Sequence, residues 1–125
     1  MKNDHRMRSI VAVRASIPDD AFTAGALGTL REGSGVVIRE SGLVLTIGYL
    51  ITEANEVWLT TADGRVVPAH ALAYDQETGF GIVQALSPLG LPAVQFGNAR
   101  KAKIGDAVTL ADGIGQQVDA HIVTA

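Results

Sequence analysis

Apolar residues in this chain come in short runs, each stopped by a turn residue. The runs recur roughly every 8 to 12 positions, the spacing expected of an antiparallel sandwich or barrel. No stretch keeps the roughly 3.6-residue period long enough for a substantial helix. The strand candidates are residues 10–14, 34–39, 43–47, 55–61, 66–74, 81–85, 106–110 and 118–124. Thirty-one of the 125 residues are Val, Ile or Thr, whose branched side chains suit a pleated surface. Segments 48–54 and 98–103 offer room for single helical turns, and 16–33 and 86–91 read as loop and turn.

Turn chemistry supports the same reading. Glu40-Ser41-Gly42 joins the second and third candidates, and Ala62-Asp63-Gly64-Arg65 joins the fourth and fifth. Asp-Gly suits a type I′ hairpin turn. Pro68 has no amide to donate, so it is expected at a bulge or an edge. Trp58 is expected to pack toward the barrel core.

Several function classes drop out early. A net charge of −3 leaves no basic footprint for nucleic acid. The small knot Arg100, Lys101, Lys103 reads as a solvated connection. The absence of cysteine removes disulfide scaffolds, thiolate metal sites and a thiol nucleophile together. His5, His70 and His121 are isolated in sequence and do not form a ligand set. No metal or other cofactor is expected. No apolar run approaches the roughly 20 residues of a membrane span, so membrane insertion is not expected. Residues 1–9 are polar and lack the apolar core of a secretory signal. That is the pattern of a cytosolic protein or of a sequence written without its leader.

The order of landmarks is informative. Gly33-Ser34-Gly35, then Gly42-Leu43-Val44-Leu45-Thr46, then Ala62-Asp63-Gly64-Arg65, then Gly105-Asp106 resembles the HtrA/DegP type of trypsin-like serine protease. The resemblance covers about residues 8–125. It implies an all-β chain whose residues 9–111 form a six-stranded antiparallel Greek-key barrel, the first of a protease's two barrels. Residues 1–8 are then a flexible tail, and 112–125 a linker with the start of a second-barrel strand. On this reading the chain looks cut at the junction between barrels.

In that family the first barrel supplies the His and Asp of the triad, and the second supplies the Ser. The His follows the strand ending in Thr by two residues, and that position here is Tyr49. The Asp belongs to a D-x-x-[TS]-D pattern, and its position here is Gly79, after Asp75-Gln76-Glu77-Thr78. The resemblance therefore implies that no catalytic residue remains at either place. A phenol is a poor base near neutral pH, and glycine has no side chain to orient one. Tyr49 is expected to fill the vacated cleft with its hydroxyl partnered; the sharper alternative is that it plugs the old groove. Asp75 and Glu77 read as solvated loop residues. Ser34 lacks the strand–turn–helix setting of a nucleophile elbow and reads as structural. Arg31 and Glu32 close a loop that is regulatory and oligomer-forming in family members.

Two functions follow as expectations. The first is an inactive HtrA-type homologue acting in protein binding or assembly. Its partner would be a protein, a peptide or a second copy, met through the face a second barrel would cover. The alternative is a fragment of an active serine endopeptidase whose remaining triad residues lie outside this chain. The resemblance also points to the bacterial envelope or periplasm.

Overall fold

The computed structural model describes residues 5–124. Six strands close into a barrel: β1 (Ile10–Ser16), β2 (Leu30–Arg39), β3 (Leu43–Ile47), β4 (Glu56–Thr60), β5 (Val66–Tyr74) and β6 (Phe80–Ala85). Their order around the barrel is β1-β2-β3-β6-β5-β4, with β4 returning to β1. Every pairing is antiparallel. This is the Greek-key barrel expected from the motifs.

Alternation explains the core. In β1 the buried residues are Val11, Val13 and Ala15, and in β4 they are Val57 and Leu59. They meet Val37, Val44, Val67, Ala69, Val83 and Ala85 inside the barrel. Each fully buried Val or Leu contributes about 1.5–3 kcal/mol through lost apolar hydration. The irregular stretch after β6 adds Leu89 to this core. It is held there by Arg65, whose Nη2 donates to the Leu89 carbonyl (2.5 Å), and by Ser9 Oγ, which donates to the Pro92 carbonyl (2.8 Å).

Four expectations need correction. Trp58 is half-buried on the outer wall rather than in the core, because Val57 and Leu59 take the inward phase of β4. Pro68 is not at the bulge of β5, which falls between Ala71 and Ala73. It lies opposite Trp58 at the rim, its carbonyl accepting from the Leu86 amide just beyond β6. The Asp63-Gly64 turn is not type I′, which requires positive φ at both residues. Only Gly64 is left-handed (φ 89°), and its amide donates to the Thr61 carbonyl (2.9 Å). Asp63 keeps an ordinary φ and accepts from the Thr61 hydroxyl instead. Finally, His5–Ser9 form a 3-10 turn where a tail was expected; the rest of that segment, 1–4, lies outside the described residues.

The loop after β1 also contains a short helix, α1 (Ala24–Leu27), and β2 starts at Leu30, earlier than its apolar run suggests. The 3-10 turns Gly48–Leu50 and Ala99–Lys101 fall within the segments expected to hold them. The barrel sheet is complete at Ala85. Strands β7 (Ala107–Ala111) and β8 (Gln117–His121) pair only with each other, as a separate hairpin. Residues 106–110, bracketed with the barrel in the sequence reading, therefore belong to the hairpin.

Candidate active-site positions

Positions 49 and 79 are thirty residues apart in sequence, and the turn carrying the first meets the loop carrying the second at one end of the barrel. β3 ends at Ile47, opposite Phe80 at the start of β6, and Tyr74 at the end of β5 lies opposite Gly81. The chain leaves β3 into the 3-10 turn Gly48–Leu50. There the Gly48 amide donates to the Gly79 carbonyl (2.6 Å). This contact requires glycine at 48, since a Cβ would lie 2.0 Å from the Tyr74 ring. Leu50 and Ile51 anchor the turn in the core.

Tyr49 projects from this turn and is 45% exposed. The ring does not fill a closed cleft. It belongs to an exposed apolar rim with Ile47, Tyr74 and Phe80. Beside that rim, a groove of about 390 Å³ runs between Ile47, Phe80, Leu45 and Val36 on the barrel and Thr109 and Ala111 on β7.

The loop of residues 75–79 is built by Asp75. Its Oδ1 accepts from the Glu77 amide (3.1 Å) and its Oδ2 from the Thr78 hydroxyl (3.0 Å). Its carbonyl accepts from the Gly79 amide (2.8 Å), and its own amide donates to the Phe80 carbonyl (2.9 Å). Gly79 takes φ 79°, a left-handed state that glycine adopts without steric cost. Apart from its own chain neighbours, no heavy atom of the described residues lies within 4 Å of where a Cβ would be. The loop thus presents open space at position 79 while both Asp75 oxygens serve its own frame.

Other candidates lie elsewhere. His70 is exposed on β5, four residues before Tyr74, on the order of 13 Å along the strand. His121 is exposed on β8, and the side chain of His5 lies outside the described ones. Ser34 is structural: its Oγ accepts from the Gly113 amide (2.9 Å) and its carbonyl from the Thr46 hydroxyl (2.8 Å). Glu77 is exposed. Among the described residues, no three His, Cys, Asp or Glu side chains cluster in a way that could hold a metal ion.

Two residues stand behind Tyr49: Arg31, expected only to close a loop, and Glu53, which the motifs do not single out. Arg31 is only 3% exposed, and its Nη1 donates to the Tyr49 carbonyl (2.7 Å). Extending the alternation of β2 back from Val37 through 35 and 33 places residue 31 inward, so this signal was available. Glu53, at φ 61°, has no such signal. Its carboxylate is held below the usual range by the Thr23 hydroxyl, then by the Phe22 and Thr23 amides, with Arg31 adding a weaker pull.

Comparison with known proteins now bears on the whole arrangement. The family model of the trypsin-like peptidase domain matches residues 33–124, through both barrel and hairpin. A probable periplasmic serine protease do/HhoA-like from Haemophilus influenzae is 34% identical over 97 residues, covering 74% of this chain and 21% of that protein. The serine endoprotease DegS of Salmonella typhimurium is 31% identical over 97 residues, covering 74% of this chain and 27% of its own length. The solved HtrA-type protease AlgWS227A with tripeptide superposes with a TM-score of 0.81 at 18% identity, covering 96% of this chain and 38% of that one. That last likeness speaks for the fold. The chain thus spans about a fifth to a quarter of the length of these curated relatives. With a closed Greek-key barrel, two loops meeting at its end and a family match over most of its length, the chain belongs to the trypsin-like peptidase family, of the HtrA type.

Proposed function

We propose that this chain is a non-catalytic HtrA-type domain that works in protein binding or assembly. The observation that carries the reading is what stands beside the Gly48–Gly79 contact: a half-exposed phenol at 49 and no side chain at 79. A triad needs a base within hydrogen-bond reach of the serine and a carboxylate to hold the base's tautomer. Neither a phenol nor glycine does that work, and a serine supplied from elsewhere would find no relay here. Glu77, the carboxylate nearest Gly79 in sequence, is exposed, and the oxygens of Asp75 are engaged by their own loop.

The binding role draws on surface chemistry. On β7 and β8, Val108 faces Ala120 and Leu110 faces Val118 in register. Leu110 and Val118 are 61% and 62% exposed, an apolar face of the kind that recruits a polypeptide or a second copy. A bacterial envelope location accords with relatives named as periplasmic.

The test is turnover of casein and of a fluorogenic peptide by the purified chain. The expected result is none above background. Turnover abolished by a serine-directed reagent would overturn the reading and favour an active endopeptidase whose relay is completed from outside this chain. Sedimentation addresses the second half of the proposal. Self-association, or capture of an added apolar extended peptide, is expected, and a monomer without affinity for such a peptide argues against it.

A further inference from the structure

The loop between β1 and β2 and the turn carrying Tyr49 are joined through three side chains. Arg31 is the first. Its Nε donates to the Gly28 carbonyl (3.1 Å), and its Nη1 to the carbonyls of Tyr49 (2.7 Å) and Thr52 (3.1 Å). Its Nη2 donates to the Thr23 hydroxyl (2.8 Å) and, more weakly, to the Thr23 carbonyl (3.4 Å). All five donors are thus used, and among the described residues Arg31 makes no ion pair. A buried cation is tolerated only where oriented dipoles replace its hydration. The carbonyls of both segments supply those dipoles, so each segment's position depends on the other.

Glu53 is the second. It is the only non-glycine with positive φ among the described residues. Such a state persists where surrounding structure over-determines it. Here its Oε1 accepts from the Thr23 amide (2.6 Å) and its Oε2 from the Phe22 amide (2.9 Å). Thr23, the third, is therefore gripped from both sides, its amide by Glu53 and its hydroxyl and carbonyl by Arg31. The residue before it, Phe22, is 97% exposed. Its aromatic ring stands in water on a backbone that is pinned.

We infer that Arg31, Thr23 and Glu53 form a rigid link that makes the loop carrying Phe22 and the turn carrying Tyr49 one mechanical unit, so that loosening either segment loosens the other. The link stands independently of whether the domain is catalytic. Its warrant is a contiguous hydrogen-bond network, and coupling between the two segments is what an experiment must measure.

Hydrogen exchange on the full chain measures it. Glu53→Gly removes the carboxylate and relieves the positive φ at once, so the barrel is not put at risk by strain. Thr23→Val removes the hydroxyl at the hub. Each is expected to speed exchange at residues 22–28 and also at 48–52, by about five- to tenfold, the lower range of measured couplings. Amides of β1 and β6 stay at their wild-type rates. The reciprocal variant is Thr52→Val, which deletes the hydroxyl donating to the Gly48 carbonyl (2.9 Å). It is expected to loosen residues 22–28 as well. Glu53→Gln, which keeps one acceptor oxygen, is expected to restore part of the protection at both segments. If Glu53→Gly and Thr23→Val loosen one segment and leave the other at its wild-type rate, or change neither, the link does not exist.

Discussion

The barrel and the β7–β8 hairpin are made of the same kind of sequence, yet only one of them has an interior. Both alternate apolar and polar residues, and both pair antiparallel with matched register. In β1–β6 the inward residues are fully buried, whereas no side chain of β7 or β8 is. Closure makes the difference. When β4 returns to β1, the inward residues of all six strands share one core. A two-stranded ribbon has nothing to close against and is marginal alone. The hairpin is instead tied at its tip. The Gly113 amide donates to Ser34 Oγ, and Gly113 lies so close to β1 that a Cβ would be 2.5 Å from the Val11 carbonyl oxygen.

The contrast can be broken most forcefully in the barrel core. Leu59→Ala is expected to cost about 2–5 kcal/mol in urea unfolding, since a fully buried leucine leaves a cavity its neighbours fill only in part. Leu110→Ala, on the hairpin, is expected to stay within about 0.5 kcal/mol. Comparable losses from both would mean that the hairpin shares the barrel's core after all.

Gly113→Ala tests the tether. Overpacking of this sort costs about 1–3 kcal/mol. The loss is expected locally, as faster exchange at residues 107–121 with barrel amides unchanged. Slower or unaltered exchange there would show that the tip contact does not hold the hairpin. Leu110→Asp with Val118→Asp sharpens the comparison from the other side. Barrel stability is expected to be nearly unchanged while association through the hairpin face is lost, as read by sedimentation. Persistent association would move the interface elsewhere.

The smallest effect is one of pH. The Glu53 carboxyl is held below its ordinary pKa by the Thr23 hydroxyl and the Phe22 and Thr23 amides. A depressed folded-state pKa contributes stability that is present above the unfolded pKa and lost as pH falls through the folded one. Acid is therefore expected to loosen residues 22–28 below the usual glutamate range, with no matching step in Glu53→Gln. An identical acid profile in that variant would assign the step to another group, such as Asp63, whose carboxyl the Thr61 hydroxyl also lowers.

Much of the barrel was legible because its determinants are local. Gly42 and Gly64 lie at hairpin turns, and the apolar runs became β1–β6 within a few residues. The errors share a cause. An aromatic residue is expected to face the core, but strand phase, set by Val57 and Leu59, turns Trp58 outward. The Pro18-Asp19-Asp20 and glycines of 16–33 read as loop, whereas β2 begins at Leu30 and turns the Arg31 guanidinium inward. Spacing along the chain does not say which strands pair, and β7 pairs with β8 outside the barrel.

What the residue string determined by itself was the strand-and-turn rhythm, the identities of Tyr49 and Gly79, and the absence of thiol chemistry. These depend on neighbours a few positions away or on side-chain type alone. Only the tertiary structure decided that Gly48, beside Tyr49, bonds Gly79 through backbone, that a buried arginine donates to the Tyr49 carbonyl, and that the hairpin's apolar face looks outward. Each of those depends on which distant segments share a hydrogen bond or a face, and barrel closure sets this by a long-range balance of burial against chain entropy.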